Sequence, residues 1–403
     1  MIYKLLKNRN FRNYFLSDII ADFGVGMLTT SLNWYVIDKT SSSKMLGYLL
    51  SVNVIAGFII SLFVGLLIDR FNRKFIIIAN HLVRVISMAL VIILISFTEF
   101  KLGYMFALTI INGICWAVTT AVSKSFIQEI IPKEDFMGGN SLLEISMQVG
   151  MFMAGALSGI LYKFLGFKSI LSINTVIFII SIMFVLNIKY NSEVTKKNNE
   201  TLYENIKEGI NYLSSNKNIF IFGIIAFVPT VVTAIYNVVL PTYVINSING
   251  DSVIFGMADM AYGIGGFISG FAAVLITKKL SSKKSINIFY LVAIGILIGV
   301  CFNKYAIILY IISCTLGITN SSIRILVNTV LMDLVPKEVM GRSMSVWVSI
   351  SLIVQAVSSS LVGGLIDKYS PEAGFIFMGV LMFLGYFFSA FLFKKFNMRE
   401  VEN

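Results

Sequence analysis

Gly65-Leu-Leu-Ile-Asp69-Arg70-Phe-Asn-Arg73-Lys74 is a short charged turn set between two long apolar runs. A carboxylate and three cations within Asp69 to Lys74 are too costly to place in hydrocarbon, so this turn lies in water at the end of two membrane helices. The acid beside spaced cations makes it an electrostatic latch in waiting. Outward from it, about 20 apolar residues are needed per membrane crossing, and the chain supplies twelve such runs. They fall at 12–37, 45–68, 75–97, 102–124, 138–161, 168–188, 218–245, 253–277, 286–302, 305–327, 342–366 and 373–393. No run alternates with the period of a barrel strand, and in lipid each backbone group must bond within its own segment, so the runs are helices. The predicted fold is an all-α integral membrane protein of twelve transmembrane helices in two six-helix bundles.

Composition agrees. Of 403 residues 57% are hydrophobic, with a mean hydropathy of +0.84, above the apolar share of soluble domains. The net charge of +11 comes mainly from short turns between apolar runs, with no aromatic-interleaved basic face, which argues against nucleic acid as a partner. About 24 lysines and arginines fall in one set of alternate loops and about 7 in the other. That bias predicts a cell-membrane protein with both termini cytoplasmic. The basic opening segment precedes an apolar run too long for a signal-peptide core and is expected to be retained. Cys115, Cys301 and Cys314 show no paired spacing, and a single histidine, His81, builds no metal site, so no metal or cofactor is expected.

The chain echoes itself at half its length. Glu129-Ile-Ile-Pro-Lys-Glu134 recurs as Asp333-Leu-Val-Pro-Lys-Glu338, and Asn8-Arg-Asn-Phe11 as Asn216-Lys-Asn-Ile219. The predicted division is 1–190, a linker at 191–215, and 216–403. Within the linker, Thr201 with Glu204 suggests a capping box, and Leu202, Ile206, Ile210 and Leu213 share one face of a surface helix. Substrate sites in such repeats lie near the midplane between them.

Ionisable groups inside predicted helices are the functional suspects. Asp18 and Asp22 stand four apart on helix 1, on a stripe continuing through Gly26, Thr29 and Asn33. Asp22 is the first candidate for a proton-binding site, with Asp18, Glu144 and Asp259 beside it; the competing reading pairs Asp22 with Arg84. Asn140, Glu144 and Gln148 share a face of helix 5, and Asp259 lies among the glycines of helix 8. Candidate cavity residues are Asn33, Trp34, Arg84, Asn112, Trp116, Gln148, Tyr236 and Asn237, with Trp347 as a further aromatic. Pro229 and Pro241 bend helix 7.

The turn resembles the signature of the major facilitator superfamily, Gly-x-x-x-Asp-Arg-x-x-Arg-Lys, with Gly65, Asp69, Arg70, Arg73 and Lys74 in place. Within it the chain is most similar to the drug/proton antiporter branch that includes macrolide efflux pumps. Asn10-Phe-Arg12, Asp22-Phe-Gly24, Trp34-Tyr-Val-Ile-Asp-Lys-Thr-Ser41 and Pro132-Lys-Glu134 followed by Asn140-Ser-Leu142 carry that finer likeness. The resemblance implies a cytoplasmic gate in which Asp69 lies near Gly341, Arg342 and Ser343. It also implies a monomer in the lipid bilayer that moves small molecules and protons, exporting amphipathic drugs or natural products. The second half has Lys279 where the gate acid would stand. Helix 4 reads Ile110 to Gly113 where many members have Arg-x-x-Gln-Gly, and helix 5 has Ala154-Gly155 where antiporters often have Gly-Pro. Rival readings are a specific transporter of a metabolite, siderophore, peptide or lysolipid, and a transport-dead sensor. An enzyme is not expected, because no nucleophile or histidine-carboxylate cluster sits at a membrane face.

Overall fold

A computed structural model describes residues 2–98, 100–189, 210–277 and 279–395. The capping box at Thr201 and Glu204 lies outside the described residues. Among the described residues, twelve helices long and apolar enough to cross a membrane follow a short amino-terminal helix, Ile2–Lys7. They are α1 (Arg9–Thr40), α2 (Ser43–Arg70), α3 (Arg73–Phe97), α4 (Leu102–Ile130), α5 and α6 (136–165 and 167–186), α7 (Lys217–Ala226 continued by Val228–Asn246), α8 (Ser252–Thr277), α9 (Ser282–Val300), α10 (Ala306–Leu334), α11 (Lys337–Lys368) and α12 (Pro371–Lys395). No strand is present among the described residues.

Local chemistry sets the boundaries. Asn8 caps α1 by accepting from the Asn10 and Phe11 N–H groups, and Ser41 ends it in the left-handed region at φ 49°. Asn72, inside the charged turn, caps α3 through the Lys74 N–H. The predicted loop between helices 5 and 6 contracts to Gly166, whose φ of +73° breaks one long helix into two. In α7 the break comes at Phe227, just before Pro229, while Pro241 is carried inside the helix.

The chain divides into two compact units. The first comprises Met1–Ser41, Val52–Asn198 and Asp251–Met260; the second comprises Ser42–Ser51, Asn199–Gly250 and Ala261–Asn403. Thus α2 begins in the second unit and ends in the first, whereas α8 does the reverse.

Glycine seams reveal the repeat. In the first unit a Cβ on Gly113 of α4 would collide with the Asn53 carbonyl of α2, and one on Gly57 would meet the Gly113 carbonyl. In the second, Gly265 of α8 abuts the Cys314 carbonyl of α10, and Gly317 abuts that of Tyr262. Positions 57 and 265 are 208 apart and 113 and 317 are 204 apart, the same displacements as the sequence echoes. Small residues that allow such close approach drive helix association in lipid, where burial of apolar surface contributes little. In the first unit, Phe11, Tyr14, Val122, Phe126 and Ile127 belong to one buried apolar cluster.

Candidate functional site

Three helices of the first unit build an open cavity. Asp18 and Asp22 come from α1, Asn140 and Glu144 from α5, and Trp116, Thr119, Thr120, Ser123, Lys124 and Gln128 from α4. Spacing of three and four residues puts each set on one face of its helix. The cavity measures about 470 Å³. Asp18 and Asp22 are buried at 9% and 7% exposure, whereas Glu144 is exposed and accepts a hydrogen bond from Gln148 at 3.2 Å. Gly150 lets α1 lie flush against α5, since a Cβ there would stand 3.0 Å from the Asp22 Cβ. Near the acids, the side-chain oxygens of Tyr14 and Ser146 are buried. Three carboxylates thus face one lysine across a space walled on one side by an indole.

Lys124 and the hydroxyl stripe of α4 had not been singled out from sequence. Their signal is visible in hindsight: Trp116, Thr119, Thr120, Ser123, Lys124 and Gln128 repeat with helical period on a helix that is otherwise apolar.

Arg84 is 2% exposed, donates to Asn112 Oδ1 at 2.6 Å, lies over the Phe178 ring at 5.3 Å and is near enough to Asp22 for the two charges to act on each other. Further candidates lie elsewhere. Trp34 is buried and stacks on Phe255 with centroids 5.4 Å apart, so it fills a packing contact, and Asn33 beside it is 4% exposed. Asp259 is half-buried and accepts from Thr30 Oγ1 at 2.8 Å.

A second polar cluster occupies the second unit. Tyr236 donates to Ser313 at 2.7 Å and stacks on Tyr262, whose hydroxyl meets Thr233 at 2.6 Å and accepts from Asn320 at 3.1 Å. Asn237 is half-buried on the next position of α7. Trp347 is 1% exposed and donates to the Phe220 carbonyl, a structural anchor at the Gly223 notch.

In the charged turn, Arg73 pairs with Glu129 at the end of α4, and Lys74 donates to the Leu186 and Ile188 carbonyls at the end of α6. These two cations brace the first unit internally. Gly65 has open space around it and Arg70 is exposed; Arg342 is half-buried on the first turns of α11. The Asp69 side chain lies outside the described residues. Among the described residues no cluster of three or more His, Cys, Asp or Glu offers a metal site.

The sequence matches the Major Facilitator Superfamily over residues 14–351 and 224–400. It is 22% identical over 434 residues to the uncharacterized MFS-type transporter YkuC of Bacillus subtilis (strain 168), covering 99% of this chain and 95% of that one. It is also 22% identical over 305 residues to the Staphyloferrin A transporter of Staphylococcus aureus (strain NCTC 8325 / PS 47), covering 73% and 74% respectively. Among solved structures, the nucleoside transporter NupG superposes with a TM-score of 0.79 at 14% identity over 95% of this chain and 99% of that chain.

Proposed function

We propose that this chain, which belongs to the Major Facilitator Superfamily, is a proton-coupled exporter of amphipathic drugs or natural products, with a preference for those that carry a positive charge. The acid-lined cavity supports this reading above all. Asp18, Asp22 and Glu144 bring three carboxyl groups to its wall beside Lys124, and Trp116 offers a face to an aromatic or cationic group. Asp22 is the first proton carrier in this reading, with Asp18 and Glu144 sharing the cavity and Asp259 set apart on α8. One proton crossing 100 mV releases about 2.3 kcal/mol, enough to hold a gradient of about fiftyfold for a neutral substrate.

The protein works as a monomer in the cell membrane with both termini cytoplasmic, its halves 1–190 and 216–403 tethered by 191–215. Alternating access proceeds by rocking of the repeats around the site. In this reading the charged turn at Asp69 guards the cytoplasmic side. A second reading, a transporter dedicated to one metabolite or siderophore, is favoured by the likeness to the Staphyloferrin A transporter.

Retention of ethidium and of a macrolide in pump-deficient bacteria tests the proposal. Expression of the wild type is expected to lower retention, an uncoupler to restore it, and Asp22→Asn at matched expression to abolish the effect. Unchanged retention across cationic, neutral and anionic probes overturns drug export and leaves the dedicated transporter. Lowered retention that survives the uncoupler overturns proton coupling.

A further inference from the structure

We propose that the groove between α7, α11 and α12 holds one acyl chain of an acidic phospholipid, whose headgroup rests on Lys217, Lys394 and Lys395. The groove lies wholly within the second unit and measures about 280 Å³. Its floor, which includes Ile225, Trp347 and Ser351, is buried. Its rims, Ile221 and Ile224 on α7 and Leu384 and Phe388 on α12, are exposed. On helices that cross a membrane, such rims face hydrocarbon and not water.

The lining has no free polar group to offer. Among its described residues the polar side chains are Ser351 and Trp347, and both are engaged: Gln355 Nε2 donates to Ser351 Oγ at 3.0 Å, and Trp347 Nε1 donates to the Phe220 carbonyl at 3.1 Å. The break in α7 does not change this. Pro229 lacks the N–H that would serve the Ile225 carbonyl, and the Tyr290 hydroxyl donates to that carbonyl at 3.4 Å instead. A drug or metabolite would find nothing here to fix its polar groups, whereas a hydrocarbon chain needs only the shape. With each methylene filling roughly the 30 Å³ of a water, the space takes about nine of them. The stretch from Ile221 to Val231 along α7 is about 15 Å of helix rise, the depth of one leaflet in a core about 30 Å thick.

Charge at one end supplies the seat for a headgroup. Lys217, Ile221 and Ile224 recur at i, i+4 and i+7, so the lysine ends the face of α7 that lines the groove. Leu384, Phe388, Phe391 and Lys395 continue the same spacing on α12, and Lys395 Nζ lies 4.8 Å from the Phe391 ring centroid. Phe222 packs edge-on against Phe393 with centroids 5.3 Å apart, which brings the start of α7 beside the end of α12. All three lysines are exposed, and none makes an ion pair with an acid among the described residues. Four residues of rise put Lys217 about 6 Å beyond the groove, and Lys395 reaches back over Phe391 to a similar depth, within the headgroup zone of about 5 to 8 Å at each face of the core. An acidic headgroup is then preferred over a neutral one by about fivefold for each lysine it engages.

Quenching of Trp347 tests this without any transport, so the lipid site and drug export stand or fall separately. The full chain with Trp34→Phe and Trp116→Phe keeps Trp347 as its sole indole. It is reconstituted into phosphatidylcholine vesicles that contain a minor share of phosphatidylglycerol, or of phosphatidylcholine, brominated on the acyl chains. Brominated phosphatidylglycerol is expected to quench at about one-fifth or less of the concentration that brominated phosphatidylcholine requires. Lys217→Gln with Lys395→Gln is expected to abolish that preference, and so is Ile224→Phe with Leu384→Phe, which fill the groove from its exposed rims. Lys304→Gln, at an exposed position away from the groove, leaves it unchanged. Native mass spectrometry of the unaltered chain supplies the same comparison should the tryptophan variants fail to fold: one phosphatidylglycerol is expected to stay bound where phosphatidylcholine does not. Equal quenching or retention of the two lipids overturns the proposal and leaves an ordinary lipid boundary, as does a preference that survives filling of the groove. Relief of quenching by a macrolide but not by unlabelled phosphatidylglycerol overturns it in favour of a substrate site.

Discussion

Two neighbouring glycines of α11 offer a sharp test of the packing. At Gly363 a Cβ would collide with the Ser43 carbonyl and lie 2.9 Å from the Lys44 Cα, both backbone atoms that cannot swing away. At Gly364 it would meet nothing within 4 Å. Alanine in a helix interior is favoured over glycine by about 1 kcal/mol, and Gly364→Ala is expected to gain that amount. Gly363→Ala gains the same propensity but overpacks the seam, at a cost of about 1 to 3 kcal/mol. The two variants are therefore expected to differ by about 1 to 3 kcal/mol, with Gly364→Ala the more stable. The thiol of Cys115, 1% exposed, reports unfolding through its reaction with a maleimide dye during heating at one fixed scan rate. A Gly363→Ala protein at least as stable as Gly364→Ala would refute the backbone contact between α2 and α11.

Tyr236→Phe keeps the ring stack on Tyr262 but strands the buried Ser313 hydroxyl, and about 1 to 3 kcal/mol of stability is expected to be lost in the same thiol assay. Lys74→Ala releases the Leu186 and Ile188 carbonyls and is expected to cost about 0.5 to 1.5 kcal/mol, more than Arg70→Ala at its exposed position. At Asp251 burial pushes the carboxyl up, but the bonds from Lys163, Ile254 and Val253 outweigh it and hold it below the usual carboxylate range. A depressed carboxylate keeps its contribution above its unfolded pKa, about 3.9, and loses it as pH falls through the folded value. Hydrogen–deuterium exchange in 251–260, corrected for intrinsic rates, is thus expected to stay flat from about pH 8 to 5 and to rise below about 4; a step near neutrality would refute that assignment.

The sequence by itself determined the twelve helices and their repeat, because a membrane helix satisfies its own backbone and needs only length and apolarity, both local properties. It also placed Asp18 with Asp22 and Asn140 with Glu144, since spacing of four fixes a shared face. Which faces meet was beyond it. Trp34, offered as a cavity residue, stacks on Phe255. Lys124 joins the acids only because α4 packs with that stripe toward α1 and α5. Asp367 stands near the end of α11, and its partners lie at Ser42 to Lys44 across most of the chain. Contacts of that range depend on glycines that let backbones touch, and a glycine in a sequence marks where an approach is allowed without naming the helix that makes it.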